Sequence, residues 1–151
     1  MALVPQTTNG NYRGSPFAWR FLLLVGALNL VRGSIHLFAS DDGAGQIAGI
    51  DLSGDREVIV FLFAIMGLQQ LAFGSLHLAV AVRYRSFVPL LLTLETLKQG
   101  VAVLCFYKPL PVEAPGKYGA IVLLPMLALA LFLSLRARRG PEPAPTPAEV
   151  G

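Results

Sequence analysis

The chain has 151 residues, 54% of them hydrophobic and 14% charged, with a formal net charge of +3. Soluble domains carry about 25% charged residues, so this deficit, gathered into long apolar runs, points to an integral membrane protein and away from a soluble enzyme. The positive charge is no nucleic-acid signal, because the arginines flank the apolar runs, where they set membrane orientation; the single cysteine, Cys105, leaves no disulfide to form within the chain.

Residues 1–17, polar and broken by Pro5, Gly10, Gly14 and Pro16, read as a flexible lead-in. Arg13 and Arg20 precede the next apolar run as they would in a signal peptide. That run, however, continues past Arg32 to Ala39 with no small-residue cleavage site. It reads as a retained transmembrane helix over 18–39, about 33 Å at ~1.5 Å per residue and enough for a ~30 Å hydrocarbon core. Residues 40–57 form an acidic, Gly-rich connection. Asp55 stands where it can cap the next helix, and Glu57 lies in that helix's first turn, near the positive end of its dipole.

A second span over 57–83 stops at Arg83 and Arg85. Pro89 suits the first turn of a third span over 87–107. Residues 108–117 are a proline-punctuated loop, and the fourth span, 118–136, contains Pro125, which should kink it. Residues 137–151 are a Pro-rich disordered tail. The fold class expected is all-α, a single four-helix membrane bundle. Arg13, Arg20, Arg83, Arg85, Arg136, Arg138 and Arg139 gather at one side and the acids of 40–57 at the other, so both termini should be cytoplasmic. A cell membrane, the inner membrane of a bacterium, is the expected location.

Two twelve-residue segments are alike. Residues 26–37 and 67–78 share, without a gap, Gly26/Gly67, Leu30/Leu71, Gly33/Gly74, Ser34/Ser75, His36/His77 and Leu37/Leu78. On a helix the Gly, Asn or Gln, Gly and His of each copy fall on one face. The similarity reads as a duplicated helix-packing surface, since glycines at this spacing let membrane helices approach closely. Antiparallel spans would set Asn29 against Gln70 near the midplane and place His36 and His77 near opposite faces, about 20 Å apart. One metal ion or one bis-histidine haem could not bridge them, because such bonds are ~2 Å long. Each histidine is expected to be a hydrogen-bonded interfacial side chain, with a ligand role as the lesser possibility.

The third span carries Glu95 and Lys98 on one face with Gln99 beside them, and Arg32 lies well inside the first span. Ionised groups at this depth cost at least ~2.5–3.5 kcal/mol on insertion scales, so they pair and face inward. Asn29, Arg32, Gln70, Glu95, Lys98 and Gln99 are therefore expected to form a polar core or line a ligand cavity, with Arg32 in reach of Glu95. Two cations against one carboxylate favour an anionic or carbonyl-bearing ligand, including a quinone-like headgroup.

Other chemistry finds no support. The chain has no phosphate-cradling Gly-Lys-Ser/Thr loop, no cysteine pair and no His-Glu-x-x-His. Ser34 and Ser75 lack a nearby acid for a catalytic triad. Asp41, Asp42, Asp51, Asp55 and Glu57 lack calcium-loop spacing, so no metal site is expected.

Four short-looped spans, Arg20 near the start of the first, a Gly-rich first helix and the acidic Gly-Asp-Arg-Glu at 54–57 resemble the DoxX-like group of small four-helix bacterial membrane proteins. That resemblance implies a four-helix fold and an association with membrane redox chemistry, and it carries no residue's role with it. Small multidrug exporters share the size and span count, but their essential glutamate is in the first span and this one is in the third. The function expected first is a non-catalytic accessory or interaction subunit, in a homo-oligomer or larger membrane complex and without nucleic acid. The alternatives are a small carrier binding solute at Arg32, Glu95 and Lys98, or a redox accessory holding quinone or haem. No cofactor is required by the residues present.

Overall fold

The computed structural model describes residues 4–106 and 116–136, and in it the chain is a bundle of four helices. These are α1 (Pro16–Phe38), α2 (Arg56–Arg83), α3 (Val88–Phe106) and α4 (Gly116–Leu135), with no strand among the described residues. All four are long and apolar enough to cross a membrane, and the described ends fall within two residues of those expected. The loop at 108–115 and the tail at 137–151 lie outside the described residues.

Local chemistry sets the helix starts and stops. Ser15 caps α1 by accepting the Phe17 N–H at 3.3 Å, and Pro16 fills the first position, where its missing N–H costs nothing. Asp55 sits at the start of α2 but makes no side-chain cap bond; its backbone carbonyl accepts from Ile59 instead. After Arg83 the chain reverses through Tyr84 and a 3-10 turn at Arg85–Phe87 straight into α3. Pro125 lies inside α4, which runs on through it.

α1 and α2 are an antiparallel pair held at two close crossings. A methyl group on Gly33 would stand 2.8 Å from the Gly67 carbonyl oxygen, and one on Gly74 would stand 2.9 Å from that of Gly26. The glycines of the two similar segments thus meet crosswise, Gly26 with Gly74 and Gly33 with Gly67. Only hydrogen at those positions lets the backbones come this near. α3 packs chiefly on α4, and the two pairs join mainly through α1.

The dry core sits at one end of the bundle. Ala18, Phe21, Leu22 and Val25 of α1 meet Val80 and Ala81 of α2, Val88, Leu91 and Leu92 of α3, and Leu127 and Ala130 of α4. The outward faces are also apolar, with Leu24, Phe61, Leu68, Leu97, Leu104 and Leu129 all exposed. Such an all-round apolar helix is suited to a hydrocarbon surrounding.

The lead-in is not loose where it is described. Thr8 N–H and the Thr7 hydroxyl both donate to Arg83 O (3.1 and 2.8 Å), and Asn9 Nδ2 donates to Val82 O at 2.7 Å. Asn9 Oδ1 accepts from Arg85 N–H, while Ser15 N–H reaches Leu133 O on α4. Arg83 and Tyr84 return bonds to Pro5 O. The lead satisfies carbonyls that the end of α2 leaves without helical donors, and it gathers the start of α1, the α2–α3 reversal and the end of α4 at one end.

Candidate functional site

Beyond the dry core the helices part around a cavity of about 560 Å³. All six residues singled out as a polar core line it: Asn29 and Arg32 from α1, Gln70 from α2, and Glu95, Lys98 and Gln99 from α3. The rest of its wall is largely apolar, including Leu28, Met66, Phe73, Leu123 and Met126.

The base of the cavity is a hydrogen-bonded chain. Glu95, 4% exposed, is held by Lys98 Nζ at 2.6–2.7 Å and by His77 Nε2 at 3.2 Å. A carboxylate in an ion pair only accepts, so Nε2 carries the imidazole proton. Nδ1 is then free to accept from Asn29 Nδ2 at 3.5 Å. Lys98 also stands 5.8 Å from the Phe73 ring centroid, the range of a cation–π contact. Its side chain remains 54% exposed on the open side between α2 and α3.

One expected placement and two expected pairings are rearranged. His77 is not interfacial but 1% exposed at the centre of this network. It lies six residues before the end of α2, and Glu95 seven after the start of α3, so the tight reversal between them sets both about 10 Å up the bundle. Arg32 does not reach Glu95. Sixteen residues into α1, about 24 Å up, it extends towards the first turn of α4, with Nη2 3.8 Å from where a methyl on Gly116 would sit. Asn29 does not pair with Gln70 either, although the glycine crossings put the two nearly level. Side chains lean towards the N-terminus of their own helix. In antiparallel helices Asn29 therefore leans towards His77, while Gln70 leans away from it. Gln70 Oε1 is left buried without a partner among the described residues.

His36 has a different task. Its Nδ1–H donates to Asp42 O at 2.8 Å, and its ring meets Phe63 edge-on at 5.3 Å. Asp42 and Gly43 have φ of 51° and 75°, a left-handed turn that starts the α1–α2 connection. Asp41 secures that turn by accepting from Gln46, Gly43 and Gly45 N–H at 2.7–3.1 Å. The Gln46 bond, with those of Gly43 and Gly45, holds the Asp41 carboxyl below its ordinary range against the opposing effect of burial. Ser53 N–H and hydroxyl do the same for Asp51. These acids serve the loop's own backbone.

The two imidazoles stand at separate levels. His77 packs on Gly26, ten residues before His36 in the same helix, a rise of about 15 Å. No group of three His, Cys, Asp or Glu able to hold a metal occurs among the described residues. Both nitrogens of His77 are engaged, so ligation of a haem there would dismantle the base of the cavity. Ser34 and Ser75 are exposed and line no part of it. What remains is a binding geometry: apolar walls, a neutralised Glu95–Lys98 pair at the base, amides at mid-height and a guanidinium at the far end. No protein-family model matches the chain, and no curated protein or solved structure is significantly similar to it.

Proposed function

We propose that this is an integral membrane protein that holds a small amphiphilic molecule in the cavity between its helices, as a carrier or ligand-binding protein. One observation carries the reading: six polar residues on three helices converge on a single cavity of about 560 Å³ with apolar walls. Small-molecule sites have this make-up, an apolar pocket of ~300–1,000 Å³ with a few convergent polar groups. A purely structural polar core would bring these groups onto one another. Here Gln70 Oε1 is buried unpaired and Arg32 makes no ion pair among the described residues.

The arginine-rich end, with both chain termini, faces the cytoplasm by the positive-inside bias, and a bacterial inner membrane suits such a chain. The cavity then opens towards the outer half of the bilayer. The crosswise pairing of the two similar segments supports their origin by duplication. The glycine faces of the two similar segments are buried within the α1–α2 pair, so an accessory role in a larger complex would use other surfaces of the chain. A resemblance to the DoxX-like group would bring a quinone-like headgroup within the class of ligands.

Native mass spectrometry from mild detergent tests the reading on the intact chain and on Gly119→Leu. Gly119 lines the cavity, and a Cβ there meets nothing within 4 Å, so a leucine has room at its root and occupies space that a ligand would need. The wild-type chain should carry a bound small molecule that Gly119→Leu loses while keeping its melting temperature. Equal occupancy in the two would refute the reading.

A further inference from the structure

The far end of the cavity is more specific than its base. Glu95 is answered inside the chain by Lys98 and His77, so its charge asks nothing of a ligand. Arg32 makes no hydrogen bond or ion pair among the described residues, and its guanidinium is directed at the first turn of α4. That turn contains no acid and carries Lys117. Its backbone N–H groups lie at the positive end of the helix dipole. Gly116 and Gly119 keep the turn bare of side chains where it borders the cavity. Arg32 and the bare first turn of α4 therefore meet at one end of an apolar pocket, where positive charge has no counter-ion among the described residues.

We propose that the ligand is a single-chain amphiphile with an anionic head, a long-chain carboxylate or phosphate monoester, whose head binds the Arg32 guanidinium on the cavity side, beside the first turn of α4. Its chain runs down the apolar wall along Leu28, Leu123 and Met126. The volume suits one drug-sized molecule. A guanidinium with five donors in a fixed fork matches either head bidentately, which a neutral alcohol cannot reproduce. This inference rests on the cavity being a ligand site, and the test separates the two.

The intact chain in phosphatidylcholine nanodiscs is exposed to photoactivatable palmitate, hexadecyl phosphate and hexadecanol, and labelling of cavity peptides is quantified. At least one anion should label the cavity about ten-fold or more above the alcohol, the scale of a lost charge-assisted bond. The better anion identifies the head as carboxylate or phosphate. Arg32→Gln should reduce the anions to the level of the alcohol, and Arg32→Lys, which keeps the charge but not the fork, should restore only part of the labelling. Glu113, outside the described residues, is checked by Glu113→Gln: unchanged labelling supports the inference. A rise of about ten-fold would mean that an acid of the chain already answers Arg32, and would overturn it. An anion-to-alcohol ratio near one in the wild-type chain overturns it without any variant. If Gly119→Leu still erases labelling in that case, the cavity reading stands; if Gly119→Leu erases nothing, the cavity reading falls as well.

Discussion

Replacing Gly67 by alanine probes the contact on which the α1–α2 pair depends. The added methyl would stand 2.8 Å from His36 Cβ and 2.9 Å from both Gly33 O and His36 C. Carbon atoms rest at about 3.5–4.0 Å, so the gap is short by at least ~0.6 Å. Two of the three atoms are backbone and cannot rotate aside. The helices must part, loosening the Gly26–Gly74 crossing and the 3.5 Å Asn29–His77 contact with them. Overpacking of this kind costs about 1–3 kcal/mol, while alanine in place of glycine in a helix returns roughly 0.8–1.0 kcal/mol. Gly100→Ala is the control, because a methyl there meets nothing within 4 Å and only the propensity gain remains. The two variants should therefore differ by about 1–3 kcal/mol in denaturant unfolding followed by circular dichroism, with Gly67→Ala the weaker. Adding Gly33→Ala to Gly67→Ala should cost less than the sum, since both act at one crossing. Equal stability of Gly67→Ala and Gly100→Ala would refute the close crossing.

Three further outcomes are expected. Lys98→Met should cost more in the wild-type chain than in a Glu95→Gln background, with a coupling of about 1–3 kcal/mol in a double-mutant cycle; the exposed Lys98 side chain places it towards the lower figure. A coupling within error of zero would mean that the pair is decorative. Asn9→Ala removes the bonds to Val82 O and Arg85 N–H and should lower stability by about 1–2 kcal/mol. An unchanged unfolding midpoint would show that the lead is not docked. For Asp41, the folded carboxyl titrates below its ordinary value near 3.8. Its contribution is thus present above that value and lost as pH falls through the lower folded one. Amide exchange at Gly43, Gly45 and Gln46, corrected for intrinsic rates, should quicken on acidification in the wild-type chain and be fast at every pH in Asp41→Ala. Protection that survived Asp41→Ala would count against the carboxylate as the loop's anchor.

The four helices and their ends were legible because each apolar run is long, continuous and bounded by arginine, proline or an acidic loop. The cavity residues were legible for a related reason. An amide or charge inside an apolar run has nowhere to go but inward, and Asn29, Arg32, Gln70, Glu95, Lys98 and Gln99 all stand out on that ground alone. The pairings among them were not. His77 joins Glu95 because both lie six or seven residues from one tight reversal, a count available in the chain once the connection is known to be so short. Asn29 and Gln70 share a level yet diverge, since side-chain lean reverses between antiparallel helices. The docked lead left no mark on its own composition, because its partners are the backbone carbonyls at the end of α2.

Composition and spacing alone were enough to decide that the chain forms four apolar helices and which polar side chains those helices must hide. They also decided that two glycine faces would bring the first pair together, since only glycine permits backbones that close. Which polar group answers which depended on helix register and on the opposed lean of antiparallel side chains. Those are properties of packed helices, and no single stretch of sequence contains them. Tertiary structure alone separated a self-satisfied Glu95–Lys98–His77 base from an Arg32 that no described residue answers at the far end, and so moved the binding question from the acid to the arginine.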